Sequence, residues 1–285
     1  MNDGVLLIDK PSGMTSFDVV AIVRRKLGVK CGHSGTLDPL ATGLLPVLCG
    51  KATKLCSYLT DGDKEYVASM RFGFETDTLD STGSTTATSE KAVTLSDIES
   101  VIPRFTGVQL QTPPAFSAIK VGGTALYKRA RRGETVEVPP REIEIYDLEV
   151  LSYDGGVLVM RVRCSKGTYI RSLCRDIGRA VGSLGTMTAL RRTETGGWTV
   201  ENSVSPDADD LSAHLISLDD ALSRYPEFRP DPFFVALLSN GCAVETKKLG
   251  DIPNGVSRVY GDRLIGLGAV ITDGETPTYK IITHL

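Results

Sequence analysis

The stretch from residue 32 to 54, GHSGTLDPLATGLLPVLCGKATK, limits most strongly what this chain can fold into. Gly and Pro interrupt it so often that a long helix is excluded, and only Leu44 to Leu48 is apolar enough to form a short strand. The remainder is predicted to be a shaped loop. Asp38 lies on that loop.

Two roles are open for Asp38. An Asp-Pro pair commonly initiates a turn, so the carboxylate can be purely structural. A turn needs only one or two polar groups, however, and several more lie close by: His33, Ser34, Thr36 and Thr42. A carboxylate held on a rigid loop is what nucleophilic or acid–base chemistry requires, so we favour a catalytic role.

The composition describes a globular protein. With 285 residues, 41% of them hydrophobic, the chain can bury a substantial core in one or two domains. No run of about 18 apolar residues indicates a membrane span. The first residues lack the basic and apolar regions of a signal peptide. We therefore expect no membrane association and a cytoplasmic location.

The cysteines and histidines argue against both disulfides and metal. Six cysteines are scattered singly, without a CxxC pair, as is typical of a reducing compartment. They are Cys31, Cys49, Cys56, Cys164, Cys174 and Cys242. Only three histidines occur, and they are too far apart in sequence to suggest a zinc site. No metal is expected.

The charge distribution indicates a nucleic-acid partner, although the net charge is −3. Six basic residues and no acidic one lie between residues 101 and 133, and eight basic residues oppose one aspartate between 161 and 192. An acidic block at 201–220 balances them. Two basic blocks predict a basic face on a nearly neutral protein. Solvated surface charge without a partner is the competing interpretation.

The periodicity of apolar residues predicts short strands and helices in alternation. Ser16–Leu27 is predicted to be a helix that buries Phe17, Val20, Val23 and Leu27. Asp77–Glu90 is predicted to be a loop. Strands are predicted at Val5–Asp9, Lys64–Gly73 (which carries Tyr66) and Thr186–Arg192, and a hairpin is predicted from Arg141–Val150 and Val157–Cys164. Helices are predicted at Leu95–Phe105 and Ala125–Arg132. A further helix, capped by Thr168 or Ser172, is predicted to run to about Ala180.

The motif Lys166-Gly167-Thr168-Tyr169-Ile170-Arg171 follows the hairpin. Tyr169 and Arg171 are two residues apart at a strand-to-helix corner, where both side chains can point into one cleft. The alternative, in which Tyr169 packs and Arg171 is solvated, remains open on this signal.

Two enzyme templates fail against these residues. Gly32–Thr36 departs from the G-x-S-x-G nucleophile elbow at its last position, and Gly43–Lys51 has the wrong spacing for a phosphate-binding loop. What remains is a lone carboxylate, two tyrosines, an arginine and a basic face. This set fits chemistry on a nucleobase that is extruded from its stack and placed on an aromatic ring. Stacking on the ring contributes about 1–3 kcal/mol per base, which offsets the cost of extrusion. An arginine beside Asp38 is expected to lower the pKa of the carboxyl and keep it ionised.

Six motifs occur between Asp9 and Thr193. They are DKPSGMTS, GHSGTLDPLATGLLPV, KEY, QTPPAFSAIK followed by LYKRAR, KGTYIRSLCRDIG and LRRT. Their residues and order resemble the TruB family of bacterial tRNA pseudouridine synthases. The resemblance implies isomerisation of uridine to pseudouridine at position 55 in the T-loop of tRNA, without a cofactor. It also implies an α+β fold with a mixed, largely antiparallel sheet flanked by helices and a cleft across its face.

The resemblance also implies roles for individual residues. Asp38 matches the essential aspartate that attacks the target nucleotide. The resemblance also implies six substrate-binding residues. Tyr66 would stack on the flipped base, Tyr169 would be a pocket residue and proton acceptor, and Arg171 would be the partner of the aspartate. Leu190 would form an apolar wall, His33 would lie near the displaced nucleotide, and Lys10 would be a basic residue near the site.

The last part of the chain has a different pattern. Residues 229–285 consist of short apolar runs between Gly and Pro, including Phe233–Leu238, and predict a small β-rich domain. It resembles a PUA domain in length and strand pattern, so we divide the chain into a catalytic domain, 1–228, and a PUA-like RNA-binding domain, 229–285. A guide-RNA-dependent enzyme of the dyskerin type has similar motifs, but this chain lacks a long basic tail. A stand-alone monomer acting on the T-arm stem-loop of tRNA is therefore expected.

Two other functions remain to be distinguished. A non-catalytic tRNA-binding or chaperone protein would use the basic face, with Asp38 only shaping a loop. A base-releasing glycosidase would use a carboxylate in a similar way but would liberate free uracil.

Overall fold

The computed structural model describes residues 2–59, 62–117, 120–121, 124–125, 129, 132, 138–272 and 276–285. The predicted basic helix at Ala125–Arg132 lies largely outside the described residues. None of the described helices is both long and apolar enough to cross a membrane.

Strands and short helices alternate along the described chain. The helices are α1 (Ser16–Leu27), α2 (Cys56–Leu59), α3 (Leu95–Val101), α4 (Ile170–Ala180), α5 (Leu218–Ala221) and α6 (Pro232–Ser239), and 3-10 turns lie at Gly50–Leu55, Ile102–Phe105, Val200–Asn202, Ser212–His214 and Thr246–Lys248. The strands are β1 (Gly4–Lys10), β2 (Cys31–His33), β3 (Thr42–Cys49), β4 (Lys64–Phe72), β5 (Phe74–Thr76), β6 (Thr85–Thr88), β7 (Gly107–Gln111), β8 (Lys120–Val121), β9 (Thr124–Ala125), β10 (Arg141–Asp154), β11 (Val157–Cys164), β12 (Gly185–Thr195), β13 (Trp198–Thr199), β14 (Glu227–Phe228), β15 (Val244–Glu245), β16 (Ser257–Tyr260), β17 (Leu264–Ile271) and β18 (Thr278–His284).

One large sheet forms the centre of the molecule. Within the described residues it has nine strands, in the order β1-β3-β12-β4-β11-β10-β7, with β2 paired to β3 and β13 paired to β12. Only the short contact of β12 with β3 is parallel, and the other pairings are antiparallel. The expected mixed, largely antiparallel sheet flanked by helices is confirmed.

Helix α1 has the predicted bounds, but one of its predicted core residues is wrong. Thr15 caps the helix in a capping box with Asp18, which satisfies free backbone N–H groups of the first turn. The buried side chains are Ser16, Val19, Val20 and Val23, whereas Phe17 is 75% exposed. Ser16 faces inward because its hydroxyl bonds to the backbone of Leu37, and this turns Phe17 outward.

Helix α4 approaches the sheet closely through two glycines. A Cβ added to Gly178 would lie 2.3 Å from the backbone N of Gly185, and one added to Gly185 would lie 2.6 Å from the carbonyl oxygen of Cys174. Contacts this short exclude any side chain, so the pair lets α4 rest directly on β12. Because Arg171 lies in the first turn of α4, this contact also places Arg171 relative to the sheet.

The strands from 227 onward form a second sheet of their own, in the order β14-β16-β17-β18-β15 among the described residues. Phe228, Leu238, Val259 and Tyr279 lie in its core. The apolar run Phe233–Leu238, predicted to contribute to β structure, is instead helix α6. Asp231 caps this helix and Pro232 occupies its first turn, a combination that starts helices and that apolar content alone does not reveal.

Two other expectations need correction. The segment 77–90, predicted to be a loop, contains β6, which pairs with β5. Helix α4 has no side-chain cap of its own at Tyr169, so Thr168 and Ser172 were both wrong choices. The side chain of Gln111, on β7, bonds instead to the backbone N and O of Tyr169, a long-range contact that no local pattern predicts.

We predict that Gly178→Ala lowers the free energy of unfolding by up to about 2 kcal/mol. Overpacking against backbone costs about 1–3 kcal/mol, which outweighs the gain of about 1 kcal/mol in helix propensity. Chemical denaturation measures the change. Gly32→Ala is the matched control, because a Cβ there meets no atom within 4 Å. Equal stabilities for the two variants would contradict the close packing of α4 on β12.

Candidate active site

Residues 34–41, called here the Asp38 loop, connect β2 to β3 and are held from behind by the segment after β1. The Ser16 hydroxyl accepts a hydrogen bond from Leu37 N at 2.9 Å and donates to Leu37 O at 3.0 Å. Gly13 N donates to Pro39 O at 2.8 Å. The DKPSGMTS motif is therefore the support on which the Asp38 loop is built.

Lys10 completes this support. Its side chain is fully buried, and Nζ donates to the carbonyl oxygens of Pro11, Met14 and Pro39 at 2.9, 2.6 and 3.3 Å. Burial lowers the pKa of Lys10 to about 8, although the negative charge of Asp38 opposes that shift. Lys10 therefore positions the backbone beside Asp38 and supplies positive potential to it.

Asp38 forms an ion pair with a buried arginine. Nε of Arg171 lies 3.0 Å from Oδ2 of Asp38, and the two side chains are 6% and 35% exposed. The guanidinium also donates to the carbonyl oxygens of Thr78 and Phe116, at 2.9 Å each. The structure thus supports the interpretation in which Arg171 points into the site rather than into solvent. The carboxylate stays open on one side.

A second carboxylate, Asp80, lies behind this pair and was missed at the level of sequence. Its Oδ2 is 3.7 Å from Nη1 of Arg171, and its side chain is 7% exposed. Oδ1 accepts hydrogen bonds from the Thr78 hydroxyl at 2.9 Å and from Thr82 N at 3.0 Å. In sequence, Asp80 belongs to a polar turn-like segment, and its charge partner is distant along the chain. No local signal distinguishes it.

The expectation that Arg171 depresses the pKa of Asp38 is wrong in its net direction. The pKa of Asp38 is raised, chiefly because burial disfavours the charged carboxylate. Arg171 does pull that pKa down, but the like charge of Asp80 pushes it up. Arg171 divides its charge between two carboxylates, so it does not fully offset the cost of burying either.

Tyr66 and Leu190 lie on the two central strands. Tyr66 on β4 pairs in register with Arg192 on β12, and Leu190 lies two residues before Arg192. Side chains two apart on a strand share a face, so Leu190, Arg192 and Tyr66 occupy the same side of the sheet. Tyr66 and Leu190 are 7% and 8% exposed. Burial raises the pKa of Tyr66, the positive charge of Arg192 opposes that shift, and the charge of Asp38 adds the smallest contribution.

Arg192 is a second buried arginine, and it holds the Asp38 loop from the sheet side. It is 1% exposed. Nε donates to Leu44 O at 2.7 Å and Nη2 to Gly35 O at 2.9 Å, and Arg192 pairs in register with Tyr66 across β12 and β4. The LRRT motif thus connects the tyrosine to the loop. The sequence analysis assigned no individual role to Arg192.

His33 and Tyr169 lie at the edges of this arrangement. The His33 ring packs edge-on against Phe17, with centroids 5.4 Å apart, and burial lowers its pKa, with a smaller contribution from the charge of Arg192. The backbone of Tyr169 bonds to the Gln111 side chain, and its ring centroid lies 5.8 Å from the guanidinium carbon of Arg141. The structure therefore brings Asp38, Arg171 and Lys10 together, whereas Tyr169 lies at the N-cap of α4, two residues before Arg171.

The arrangement suits nucleophilic or acid–base work by one carboxylate. No group of three His, Cys, Asp or Glu side chains suited to a metal ion occurs within the described residues. Two buried guanidinium groups and a buried ammonium stabilise the loop without blocking Asp38.

The chain matches two family profiles in succession. Residues 23–170 match the TruB family pseudouridylate synthase (N terminal domain), and residues 171–224 match the tRNA pseudouridylate synthase B C-terminal domain. Fold and site together define a pseudouridylate synthase, an isomerase.

Relatives cover nearly the whole chain. A tRNA pseudouridine synthase B of Clostridium tetani is 41% identical over 99% of this chain and 99% of its own. That of Aromatoleum aromaticum is 41% identical over 99% of this chain and 93% of its own. The chain belongs to the TruB family. The expected family is confirmed, and the similarity extends beyond the motifs between Asp9 and Thr193.

Solved structures share the fold. A Cbf5–Nop10–Gar1 complex contains a chain that matches with a TM-score of 0.72 and 26% identity, over 98% of this chain and 84% of that one. An H/ACA RNP bound to a substrate RNA containing 2'-deoxyuridine matches with a TM-score of 0.71 and 25% identity, over 99% and 85%.

We predict that Asp80→Asn lowers the pKa of Asp38. The substitution removes a like charge and leaves the positive charge of Arg171 to act on Asp38 alone, and both effects favour the ionised form. Carbon-13 NMR titration of the aspartate carboxyls measures the shift. Asp77→Asn, an exposed position in the same segment, is the control and should leave the titration unchanged. An unchanged or higher pKa in Asp80→Asn would show that the two carboxylates are not coupled.

Proposed function

We propose that this chain isomerises uridine to pseudouridine at position 55 in the T-loop of tRNA, as a monomer in the cytoplasm and without a cofactor. One observation carries the proposal: a solvent-accessible carboxylate, Asp38, is fixed on a rigid loop and paired at 3.0 Å with a buried arginine. Family membership supports the reaction class, and the names of the relatives support tRNA as the substrate.

The reaction conserves the atoms of the nucleotide apart from exchanged protons. The Asp38 carboxylate attacks the target nucleotide, at the ribose or at the ring, and the bond from ribose to N1 breaks. The freed uracil rotates and its C5 bonds to the ribose, and the bond between Asp38 and the nucleotide breaks, which returns the free carboxylate. The hydrogen on C5 leaves to solvent, and N1 takes up a proton. No electron is gained or lost overall, so the step requires neither a redox cofactor nor a second substrate.

In this proposal the residues around Asp38 bind the flipped base, hold the Asp38 loop and accept a proton. Tyr66 offers its ring to the flipped base, and Leu190 closes the same face of the pocket with an apolar wall. Base stacking on an aromatic ring returns about 1–3 kcal/mol, comparable to the cost of extruding the base. Lys10 holds the loop, His33 lies near the vacated position, and Tyr169 is the proton acceptor of the pocket.

The basic face is smaller than the sequence suggests. Two of the eight basic residues between 161 and 192, Arg171 and Arg192, are buried and belong to the site. Others form ion pairs: Arg161 with Glu149 at 2.6 Å, Arg179 with Glu75 at 2.8 Å and Arg191 with Asp9 at 2.8 Å. Exposed ion pairs exchange readily for phosphate contacts. These arginines therefore remain candidates for contacts with the RNA backbone of the T-arm.

We predict that Asp38→Asn abolishes isomerisation while binding persists. An amide cannot act as the nucleophile, so the rate should fall at least about a thousand-fold, whereas the side chain keeps its shape and every basic residue that can contact RNA is unchanged. The assay uses a T-arm stem-loop with tritium at uracil C5 and follows tritium release together with RNA binding. Asp77→Asn serves as the control and should keep the wild-type rate.

The same assay separates the competing functions. If wild type binds the stem-loop and full-length tRNA but releases no tritium from either, the chain is a binding or chaperone protein. If free uracil appears in place of pseudouridine, it is a glycosidase. Tritium release by Asp38→Asn at the wild-type rate would remove Asp38 from the mechanism.

We predict that Arg171→Lys reduces turnover about a hundred-fold or more with little change in RNA affinity. Lysine keeps the charge but cannot reproduce the planar fork that contacts Asp38 and the carbonyl oxygens of Thr78 and Phe116 together. Single-turnover rates and filter binding measure the two quantities. Arg175→Lys is the matched control, because Arg175 lies one turn later on α4 and pairs with Asp176. Equal rates for the two variants would contradict a positioning role for Arg171.

A further inference from the structure

Two cysteines face each other at the base of the Asp38 loop. Cys31 on β2 pairs in register with Cys49 on β3, and their Sγ atoms are 3.8 Å apart. The two strands are the ones that enter and leave the loop. Neither thiol takes part in the chemistry assigned to Asp38.

The backbone hydrogen bonds show which kind of strand pair this is. Gly50 N donates to Lys30 O at 2.8 Å, and Ser34 N donates to Pro46 O at 3.0 Å. Hydrogen-bonded pairs alternate along an antiparallel ladder, so Cys31 and Cys49 occupy a non-hydrogen-bonded pair. Cα atoms in such pairs are about 4.5 Å apart, with their side chains closest. That spacing falls within the range of about 4.4–6.8 Å found for disulfides.

The two thiols differ in access and in acidity. Cys31 is half-buried, whereas Cys49 is fully buried. The hydrogen bond with Cys49 lowers the pKa of Cys31, with a smaller contribution from the charge of Arg24. The pKa of Cys49 is raised by the same hydrogen bond and by burial. Because a thiolate is the nucleophile in oxidation, Cys31 should react first and Cys49 second.

We propose that Cys31 and Cys49 are a dithiol that hydroperoxides oxidise to a disulfide at the base of the Asp38 loop. The Cys31 thiolate attacks a peroxide oxygen and becomes a sulfenic acid as the O–O bond breaks and hydroxide leaves. The Cys49 sulfur then attacks Cys31 Sγ, the S–O bond breaks, and water leaves with the thiol proton. Two electrons pass from the two sulfurs to the peroxide, so that hydrogen peroxide yields two molecules of water.

This inference is independent of the proposed function, since it concerns the thiols alone. A third cysteine provides an internal competitor, because Cys56 Sγ lies 3.9 Å from the carbonyl oxygen of His33, also on β2. The geometry favours Cys49 because its sulfur already contacts that of Cys31 across the strand pair.

The test is oxidation of the full chain followed by peptide mapping. Exposed Cys242 is first replaced by serine to prevent links between molecules. The protein is reduced, freed of reductant, treated with hydrogen peroxide, blocked with an alkylating agent and cleaved with trypsin. Cleavage after Lys30 and Lys51 leaves Cys31 and Cys49 in one peptide and Cys56 in another. We expect the 31–51 peptide to lose two hydrogen atoms in mass and to become resistant to alkylation until it is reduced.

Three variants resolve the order of the steps. In Cys49→Ser, a sulfenic acid should accumulate on Cys31 and be trapped by dimedone. In Cys31→Ser, Cys49 should remain reduced at the same peroxide dose, because it is buried. Cys56→Ser is the matched control and should form the disulfide as the parent does. Alkylation of both thiols after oxidation, or a link from Cys31 to Cys56, would overturn the proposal even if a variant failed to fold.

Discussion

The ion pair between Arg171 and Asp38 is the interaction on which the rest of the site depends. Burying a guanidinium costs several kcal/mol unless it is paired and hydrogen-bonded. Arg171 meets this requirement with Asp38, Asp80 and the carbonyl oxygens of Thr78 and Phe116. These partners come from separate segments of the chain. One buried charge therefore joins the Asp38 loop, the segment after β5 and the segment after β7 to the first turn of α4.

The Asp38 loop is held by charges on both sides. Lys10 bonds to it from the end of β1, and Arg192 bonds to it from β12. Positive charges this close would be expected to lower the pKa of Asp38, yet that pKa is raised. Burial outweighs the attraction because Arg171 is shared with Asp80 and both other cations direct their hydrogen bonds to carbonyl oxygens. The result is a carboxylate that is held firmly and stays partly open to solvent, with its side chain 35% exposed.

Predictions from the sequence succeeded where a local pattern has a single structural outcome. The amphipathic period gave the bounds of α1, and the alternation of apolar and polar residues gave the hairpin of β10 and β11. They were wrong where a distant contact decided the result: Ser16 took the inward position expected for Phe17, and Gln111 replaced the expected cap of α4. The apolar run of α6 is long enough for a strand or a helix, and it forms a helix because Asp231 caps it and Pro232 occupies its first turn.

The sequence alone determined the family, several strands of the large sheet, and the candidate residues Asp38, Tyr66 and Arg171, since each lies in a motif whose local spacing is informative. Only the tertiary structure revealed Asp80 and the role of Arg192. It also decided the direction of the pKa shift of Asp38 and the contact between Cys31 and Cys49. All four depend on burial and on side chains brought together from different strands and loops. Burial and long-range charge are properties of the packed chain, and no local pattern of residues encodes them.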